Sequence, residues 1–316
     1  MSNSIITPHG EKLCNLMQDE KYLNKFNKDI LQLKSWTLSD RQLCDIEMIL
    51  NGGFSPLDGF MNRKDYNSVC EKMRLENNLL WPIPITLDIN DELVDKLEIN
   101  EEIALRDKEG FVIAILTIDD IWTPDKEKEA QQIYQTTDIF HPGVNTLLNE
   151  THSTYVGGTL KGIHYPKHYD YPQLRHTPQE LRESFDNWGW KDIIAFQTRN
   201  PMHRAHIELT KRALNEKNAK LLIHPVVGLT KPGDVNHYTR VRCYKHIMNK
   251  YPENMAALSL LPLAMRMAGP KEALWHAIIR KNYGCNYFIV GRDHASPGLN
   301  KDNTPFYGPY DAQEML

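Results

Sequence analysis

The chain has 316 residues, of which 41% are hydrophobic and 25% are charged, and its formal net charge is −4 at pH 7. This composition excludes a disordered or fibrous protein, and the length allows two domains with a sizeable core. No apolar run is long enough to span a membrane, and residues 1–5 lack the basic and apolar regions of a signal peptide. We therefore expect a cytoplasmic protein with no membrane partner.

Charge is unevenly distributed along the chain. Residues 1–160 hold 15 Lys and Arg against 27 Asp and Glu, and residues 161–316 hold 22 against 14, so the two parts carry net charges of −12 and +8. Ten of the 13 histidines also lie in the second part. A cationic half favours anionic substrates. Because no Lys/Arg run and no RNA-binding signature occurs, we expect no nucleic acid partner.

The cysteines are scattered without the paired spacing of a zinc motif or a disulfide framework. This pattern is typical of free thiols in a reducing compartment. The five positions are Cys14, Cys44, Cys70, Cys243 and Cys285.

The first half of the chain predicts helices followed by short strands. Ser39 and Gln42 have the spacing of a capping box for a helix over 36–49, which Gly52 and Gly53 would end. Short β-like segments with turn residues between them indicate a small β-barrel. The predicted further helices cover 65–75 and 126–135, and the β-like segments cover 83–89, 102–106, 111–118 and 154–163.

The second half predicts alternating strands and helices after a Tyr/His/Pro-rich linker over 165–172. A capping box at Thr177 and Glu180 opens a helix with Leu181, Phe185 and Trp188 at core spacing. The alternation with apolar strands predicts a parallel sheet covered by helices, and we divide the chain into domains 1–165 and 166–316. The strands are predicted over 192–197, 220–227, 257–263 and 287–290, and the helices between them over 201–216, 239–250 and 270–282.

A polar loop follows the strand that ends at Phe196. Asn200 is a suitable N-cap and Pro201 a favoured first helical residue, so a helix N-terminus is predicted there. His203 and His206 share one helix face, and Arg199 lies at the helix mouth. These groups predict an anion site, with phosphate as the favoured ligand. The alternatives are surface or core histidines, or a metal site that lacks a third ligand.

Two common nucleotide motifs are absent. No Gly-x-x-x-x-Gly-Lys-[Ser/Thr] sequence occurs, which excludes a P-loop kinase, and no Gly-x-Gly-x-x-Gly occurs, which argues against an NAD enzyme.

Four segments resemble motifs of the ATP sulfurylase family, and they occur in the order found in that family. The first, residues 197–206, also resembles the His-x-x-His signature of the wider nucleotidyltransferase superfamily. The second, Gly291-Arg292-Asp293-His294-Ala295, resembles the other ATP-binding loop of the family, although Ser296 stands where a glycine is expected. The remaining two cover residues 267–273 and 53–61.

The resemblance implies an α/β protein with a PUA-like β-barrel domain followed by a Rossmann-like parallel-sheet nucleotidyltransferase domain. The implied reaction joins sulfate to the α-phosphate of ATP and yields adenosine 5′-phosphosulfate and pyrophosphate. It also implies magnesium bound with ATP, a homo-oligomer, and further chain after Leu316, so we expect the catalytic domain to be truncated before a C-terminal segment. The alternatives are transfer to another acceptor and a non-catalytic nucleotide- or RNA-binding relative.

The resemblance also implies the site residues. Gln197, Arg199 and Ala295 would bind sulfate, and His203 and His206 would stabilise the phosphates as charge develops. Thr198 and Asn200 would contact the reacting phosphate, so that Thr198, Arg199, Asn200, His203 and His206 form the catalytic set. The ATP-binding residues would be Gln197, Thr198, Arg199, Asn200, Gly291, Arg292, Asp293 and His294.

Other residues have two interpretations each. The histidines at 141 and 152 either face the site or occupy turns, and His276 is expected in the core. Arg240 and Arg242 either reach phosphates or lie on a solvated face. Residues 231–234 either cover the site or form a surface turn, and the helix start at 269–270 is a candidate phosphate contact.

Overall fold

Two β-sheets divide the structure between the first and second halves of the chain. The computed structural model describes residues 5–19, 21, 30, 32–231 and 233–316, so Pro232 of the predicted 231–234 loop lies outside the described residues. One sheet has six strands and ends at Gly162, and the other has four strands and begins at Ile193.

The first sheet is antiparallel except at one edge. Its order is β1-β4-β5-β6-β2, with β3 also paired to β6, and only β1 and β4 run parallel. Strands were predicted correctly over 102–106 and 154–163. The strand predicted over 111–118 continues to Trp122, and only the end of the 83–89 segment forms a strand. The strands are β1 (Ser35–Thr37), β2 (Gly59–Phe60), β3 (Leu87–Ile89), β4 (Glu102–Arg106), β5 (Val112–Trp122) and β6 (Thr154–Gly162).

Within the described residues, helices also accompany this sheet. The predicted capping box is confirmed, because Ser39 Oγ accepts the Gln42 N–H at 3.3 Å and Gln42 Oε1 accepts the Ser39 N–H at 3.0 Å. The helix begins later than predicted because residues 35–37 pair as β1. The helices are α1 (Asp40–Leu50), α2 (Arg63–Lys72), α3 (Asp91–Val94), α4 (Lys126–Tyr134) and α5 (Pro142–Asn145), which a π-helical turn (Thr146–Glu150) extends.

The second sheet is fully parallel, as the alternating pattern predicts, and its order is β10-β7-β8-β9. Its strands are β7 (Ile193–Phe196), β8 (Lys220–Ile223), β9 (Ala256–Leu258) and β10 (Tyr287–Ile289). The helices are α6 (Pro178–Asn187), α7 (Arg204–Lys217), α8 (His237–Met248), α9 (Gly269–Asn282) and α10 (Asp311–Met315).

The first turn of α6 is as predicted and its end is not. Thr177 Oγ1 accepts the Glu180 N–H and the Glu180 carboxylate accepts the Thr177 N–H, which confirms the capping box. Leu181 and Phe185 are buried, but Trp188 is 46% exposed. It is the C-cap of the helix, so the helical spacing no longer directs its side chain toward the core.

Helix α9 joins the two halves. Asn282 at its end donates from Nδ2 to the carbonyl oxygens of Gly53 and Ser55, both at 3.0 Å, and Phe54 packs on Trp275 at 5.1 Å between ring centroids. A Cβ at Gly59 would lie 1.9 Å from a carbonyl oxygen of the neighbouring β6, so the close approach of β2 and β6 requires glycine. The motif at 53–61 therefore builds the contact between the halves.

Two further predictions concern the whole chain. All five cysteines are free thiols, as the spacing predicts, and burial raises the pKa of Cys44 and of Cys285 to about 12. No helix within the described part of the chain is long and apolar enough to cross a membrane.

Candidate active site

The strand order reverses beside β7, and two of the sequence motifs follow the strands that flank this point. The chain runs from β7 outward through β8 and β9 and then returns to β10 on the other side of β7. Phe196 of β7 pairs with Ile289 of β10, so the first loop (residues 197–203) and the second loop (residues 290–298) leave the sheet at one edge. In open parallel sheets this position is the usual ligand crevice.

The predicted helix start in the first loop was wrong by three residues. Helix α7 begins at Arg204 with His203 as its N-cap, so Asn200 and Pro201 belong to the loop. Thr198 Oγ1 accepts the Asn200 N–H at 3.1 Å, and Tyr244 donates its hydroxyl to the Asn200 carbonyl oxygen at 2.9 Å. These contacts hold Asn200 in a local turn, which competes with helix formation.

The histidines of the first loop and of α7 adopt one defined arrangement. His206 Nδ1 accepts the N–H of His203 at 3.1 Å, and the two rings stack with centroids 5.7 Å apart. Burial and the neighbouring His203 lower the pKa of His206. Because Nδ1 is the acceptor, the proton of the neutral ring lies on Nε2, which leaves that atom as a donor.

Arg199 forms an ion pair with Asp234, which belongs to the segment for which the sequence allowed two interpretations. Its Nη1 lies 3.0 Å from Asp234 Oδ2. In the same segment, Lys231 donates from Nζ to the Pro297 carbonyl oxygen at 3.2 Å. Asp234 and Lys231 therefore contact the first and the second loop of the crevice, respectively, which agrees with the covering-loop interpretation.

Gln197 is buried at the end of β7 with its side-chain amide held in one orientation. Arg280 of α9 donates a hydrogen bond from Nη2 to Gln197 Oε1. An amide has one acceptor oxygen and one donor nitrogen, so the Gln197 NH₂ group points away from Arg280. The Gln197 Nε2 atom lies 4.0 Å from the sulfur of Met265, which is a weak acceptor.

Backbone hydrogen bonds to neighbouring segments hold the second loop in place. Asp293 and Ala295 have φ values of 56° and 53°, which are left-handed. The Asp293 N–H bonds the Pro309 carbonyl oxygen at 2.9 Å, and the Ala295 carbonyl oxygen accepts the Gly269 N–H at 3.2 Å. Ala295 is buried, whereas Arg292 and Asp293 are exposed and Gly291 borders open space.

His294 joins the second loop to α9. Its Nε2 lies 3.0 Å from Nδ1 of His276, and Nε2 of His276 lies 3.3 Å from the Glu272 carboxylate. Burial lowers the pKa of His294 to about 3, and smaller contributions come from the positive charges of His276, Arg280 and Arg199. His294 is therefore neutral at physiological pH, and one proton is shared between the two rings.

Four residues that touch this site have partners that sequence reasoning did not predict. Glu272, His276 and Arg280 recur every fourth residue, which places them on one face of α9, but periodicity does not reveal their partners. The fourth is Asp234, whose partner lies 35 residues away in sequence.

The remaining candidates lie elsewhere. Arg240 is buried and donates to the carbonyl oxygens of Val226 and Val235, so neither earlier interpretation was right; Arg242 is exposed. The carboxylate of Glu272 accepts the backbone N–H groups of Arg266 and Ala268, which closes the helix start at 269–270 to a phosphate.

The two candidate histidines of the first half do not reach the crevice. His141 is buried and caps α5, where its Nδ1 accepts the Gly143 N–H at 3.1 Å, so the turn interpretation holds. His152 is exposed and packs edge-on against Trp36.

A cavity of about 660 Å³ lies between the first sheet and the segments 229–231 and 264–267. None of the predicted site residues lines it. Across residues 5–19, 21, 30, 32–231 and 233–316, no group of three or more His, Cys, Asp or Glu side chains could hold a metal ion.

Comparison with known families divides the chain into two matches. Residues 6–165 match the family model described as a PUA-like domain, and residues 172–316 match the one described as ATP-sulfurylase.

Similar proteins support both matches. Sulfate adenylyltransferases of Kluyveromyces lactis and Saccharomyces cerevisiae are 55% and 54% identical over 98% of this chain, which spans 62% and 61% of their lengths. A solved structure described as the hexameric APS kinase from Thiobacillus denitrificans is 34% identical, with a TM-score of 0.77 over 92% of this chain and 53% of that one.

Proposed function

We propose that the chain is a member of the ATP-sulfurylase family, which its residues 172–316 match, and that it catalyses the sulfate adenylyltransferase reaction. In this reaction ATP and sulfate give adenosine 5′-phosphosulfate and pyrophosphate. The chain spans about three fifths of the length of its curated relatives, so this activity is proposed for the part described here. The observation that supports it most is that both signature loops flank the crevice at the reversal of strand order.

In the proposed reaction, a sulfate oxygen attacks the α-phosphorus of ATP, and the bond from that phosphorus to the bridging oxygen of pyrophosphate breaks. Sulfate is a dianion at neutral pH, so no base has to remove a proton. The barrier lies in bringing two anions together and in stabilising the charge on the leaving group. Positioned hydrogen-bond donors and cations should therefore supply most of the rate.

Arg199, Gln197 and Ala295 form the proposed sulfate site. Asp234 pairs with Nη1 of Arg199, which leaves the other guanidinium nitrogens to bind an oxyanion. The Gln197 NH₂ group is already turned away from Arg280 and can donate to the same anion. Asp234 would also keep Arg199 in place before sulfate arrives.

The first loop and α7 form the proposed site of the reacting phosphates. The exposed amide of Asn200 can reach a phosphate, whereas the Thr198 hydroxyl is bonded to the Asn200 backbone and would act by shaping the loop. His203 and His206 would bind phosphate oxygens as charge moves onto pyrophosphate. For His206 the donor would be Nε2–H, since Nδ1 is occupied.

The second loop is the proposed nucleotide wall. Gly291 borders open space, so its backbone can approach a nucleotide closely, and the exposed Arg292 and Asp293 flank it. His294 would contribute a neutral ring held from behind by His276.

Magnesium, assembly and location complete the proposal. Magnesium would enter bound to ATP and be held mainly by phosphates and water, since it favours oxygen ligands and keeps several waters. We also propose a homo-oligomer, because the similar structure is described as hexameric, and a cytoplasmic location, because the scattered thiols suit a reducing compartment.

The test is ATP formation from adenosine 5′-phosphosulfate and pyrophosphate with magnesium, measured with wild-type chain, Arg199→Ala and Arg242→Ala. We expect ATP formation to fall by about 10²- to 10³-fold in Arg199→Ala, because one oxyanion donor is lost. The exposed Arg242 is the control, and its replacement should leave the rate unchanged. Equal activity of Arg199→Ala and wild type would refute the sulfate assignment.

A second measurement distinguishes transfer to sulfate from transfer to another acceptor. Exchange of labelled pyrophosphate into ATP without sulfate would indicate a nucleotidyltransferase that acts on another acceptor. Exchange that requires sulfate supports the proposal.

A further inference from the structure

Helix α9 carries three buried polar side chains along one face. Glu272, His276 and Arg280 are spaced by four residues, and their exposed fractions are 0%, 0% and 1%. Each reaches a different segment of the crevice. Glu272 bonds the backbone at 266 and 268, His276 contacts the second loop, and Arg280 contacts the first loop. The helix therefore holds both signature loops from beneath.

Arg280 is a buried cation with neutral partners. Its Nη2 donates to Gln197 Oε1 and to the His224 carbonyl oxygen at 3.2 Å, and its Nη1 lies 3.4 Å from the His276 carbonyl oxygen. No carboxylate pairs with it in the part of the chain that the structure describes, and its Nε is buried without a hydrogen-bond partner.

This environment leaves the positive charge of Arg280 without a carboxylate partner among the described residues. Its guanidinium carbon lies 5.5 Å from the centroid of the Phe288 ring. Burial lowers the pKa of Arg280 to about 9, so the guanidinium is still protonated at neutral pH. A buried charge without a counter-ion is costly, and folded proteins normally pair it. On the side of the first loop Arg280 donates to the Gln197 amide oxygen, which leaves the NH₂ group of that amide as the donor that faces away from Arg280.

A second arginine in the second half of the chain, Arg182, has hydrogen bonds that serve only to join segments of the fold. Among the described residues Arg182 of α6 also has no carboxylate partner, but three of its nitrogens donate to the carbonyl oxygens of Ile6, Lys281 and Asn282 at 2.7–2.8 Å. It closes the end of α9 and the N-terminal segment, and it touches neither signature loop. Arg182 is therefore a matched control for Arg280.

We propose that Arg280 is a positioning residue for the oxyanion substrate: it turns the Gln197 amide donor toward the anion, and its unpaired charge lies behind that donor. The proposal rests on the proposed function for the identity of the anion as sulfate. Arg280 does not touch the anion, because it lies below Gln197. Its replacement should therefore weaken sulfate binding specifically, while the nucleotide contacts of the second loop remain.

The test compares Arg280→Met, Arg280→Lys and Arg182→Met with wild type. The half-saturating concentration of sodium sulfate is measured from the rise in melting temperature, with sodium chloride at matched ionic strength as reference, and that of ATP–magnesium is measured in the same way. We expect about a tenfold or larger rise in half-saturating sulfate for Arg280→Met, a smaller rise for Arg280→Lys, and less than a twofold change for ATP. Arg182→Met should lower the melting temperature without changing either ligand.

A double substitution tests whether Arg280 acts through Gln197. In a Gln197→Ala background the effect of Arg280→Met on sulfate should be clearly smaller than in wild type, because the donor to be turned is gone. Undiminished loss in this background would overturn the proposed route. Unchanged sulfate binding in Arg280→Met, equal loss of sulfate and ATP, or absence of sulfate binding in wild type would overturn the proposal itself.

The outcome also separates this proposal from the proposed function. Arg280-dependent sulfate binding in a chain that forms no ATP would retain the positioning role and refute the reaction. If the chain forms ATP and its sulfate binding is unaffected by Arg280→Met, the reaction is supported and the positioning role is refuted.

Discussion

Two buried arginines in the second half of the chain have opposite environments. Arg266, at the contact between the halves, lies 2.6 and 2.7 Å from the two oxygens of Asp45, and although burial lowers its pKa, the carboxylate more than offsets this and raises it. Arg280, beneath the crevice, has only neutral partners, and burial lowers its pKa to about 9. The charge of Arg266 is paired with a carboxylate of the protein, whereas the charge of Arg280 has no carboxylate partner among the described residues.

Among the described residues, buried nitrogens without hydrogen-bond partners are more frequent near the crevice than at the contact between the halves. Buried nitrogens without hydrogen-bond partners among the described residues include both ring nitrogens of His224 and Nε of Arg280, near the crevice. Nε2 of His276 also has no hydrogen bond, but it lies 3.3 Å from the Glu272 carboxylate. The other two are indole nitrogens, of Trp122 and Trp275. At the contact between the halves, Asn282 and His141 have partners for their polar atoms, whereas Nε1 of Trp275 has none among the described residues. Unpaired groups at a crevice cost stability and remain available to a ligand.

The largest effect is expected from Asp45→Ala. The substitution leaves Arg266 buried without its carboxylate and removes a partner of Arg41, so we expect a loss of about 3–5 kcal/mol in the free energy of unfolding. Urea denaturation measures it. Asp40→Ala is the control, because its pair with Lys108 is solvent-exposed, and it should cost less than about 1 kcal/mol. Similar costs for both variants would contradict the comparison.

Acid should weaken the contact between the halves through His141. Its Nδ1 accepts a backbone N–H, and burial lowers its pKa to about 4 from an unfolded value near 6.5. A lowered histidine pKa means that the unfolded chain binds the proton first. The stability contribution is therefore present above pH 6.5 and is lost as the pH falls toward 4, by roughly 3 kcal/mol at most.

The pH effect is measured as the difference between wild type and His141→Gln, which removes the titrating group. The difference in unfolding free energy should change between pH 7 and pH 4, in the direction of a smaller acid loss for the variant. A constant difference across this range would show that His141 does not titrate as expected.

Arg280→Met should have a small effect on stability. Removal of a buried charge that has no carboxylate partner among the described residues offsets the loss of its hydrogen bonds, so we expect a change within about 1 kcal/mol. Thermal and urea unfolding measure it beside Asp45→Ala. A loss as large as that of Asp45→Ala would mean that Arg280 is structural in the same sense as the Arg266–Asp45 pair.

The smallest effect is expected from His224→Leu. Both ring nitrogens of His224 are buried without partners, and the ring packs edge-on against Tyr283 at 4.6 Å between centroids. An apolar side chain of similar volume removes the unpaired polar atoms, and we expect a gain of up to about 1 kcal/mol. A clear loss of stability would show that these nitrogens have partners after all, such as bound water.

Much of the second half could be predicted from its sequence, because its strands are largely apolar and α6 and α7 are amphipathic, whereas α9 is buried on nearly every side. The capping box at Thr177 was correct to the residue, since all its atoms lie within four positions. The start of α7 was wrong because the competing contact comes from Tyr244, which is 44 residues away. Local propensity predicts an element well only where no distant partner intervenes.

The sequence by itself determined which residues occupy the two signature loops, the parallel arrangement of the second sheet and the free state of the cysteines. These features depend on residue types and on spacings along the chain. Only the tertiary structure decided that Asp234 pairs with Arg199, that the motif at 53–61 joins the halves, and that Arg280 lies beneath Gln197 without a carboxylate partner among the described residues. Those outcomes depend on which side chains packing brings into contact and on which charges it removes from water, and periodicity carries neither kind of information.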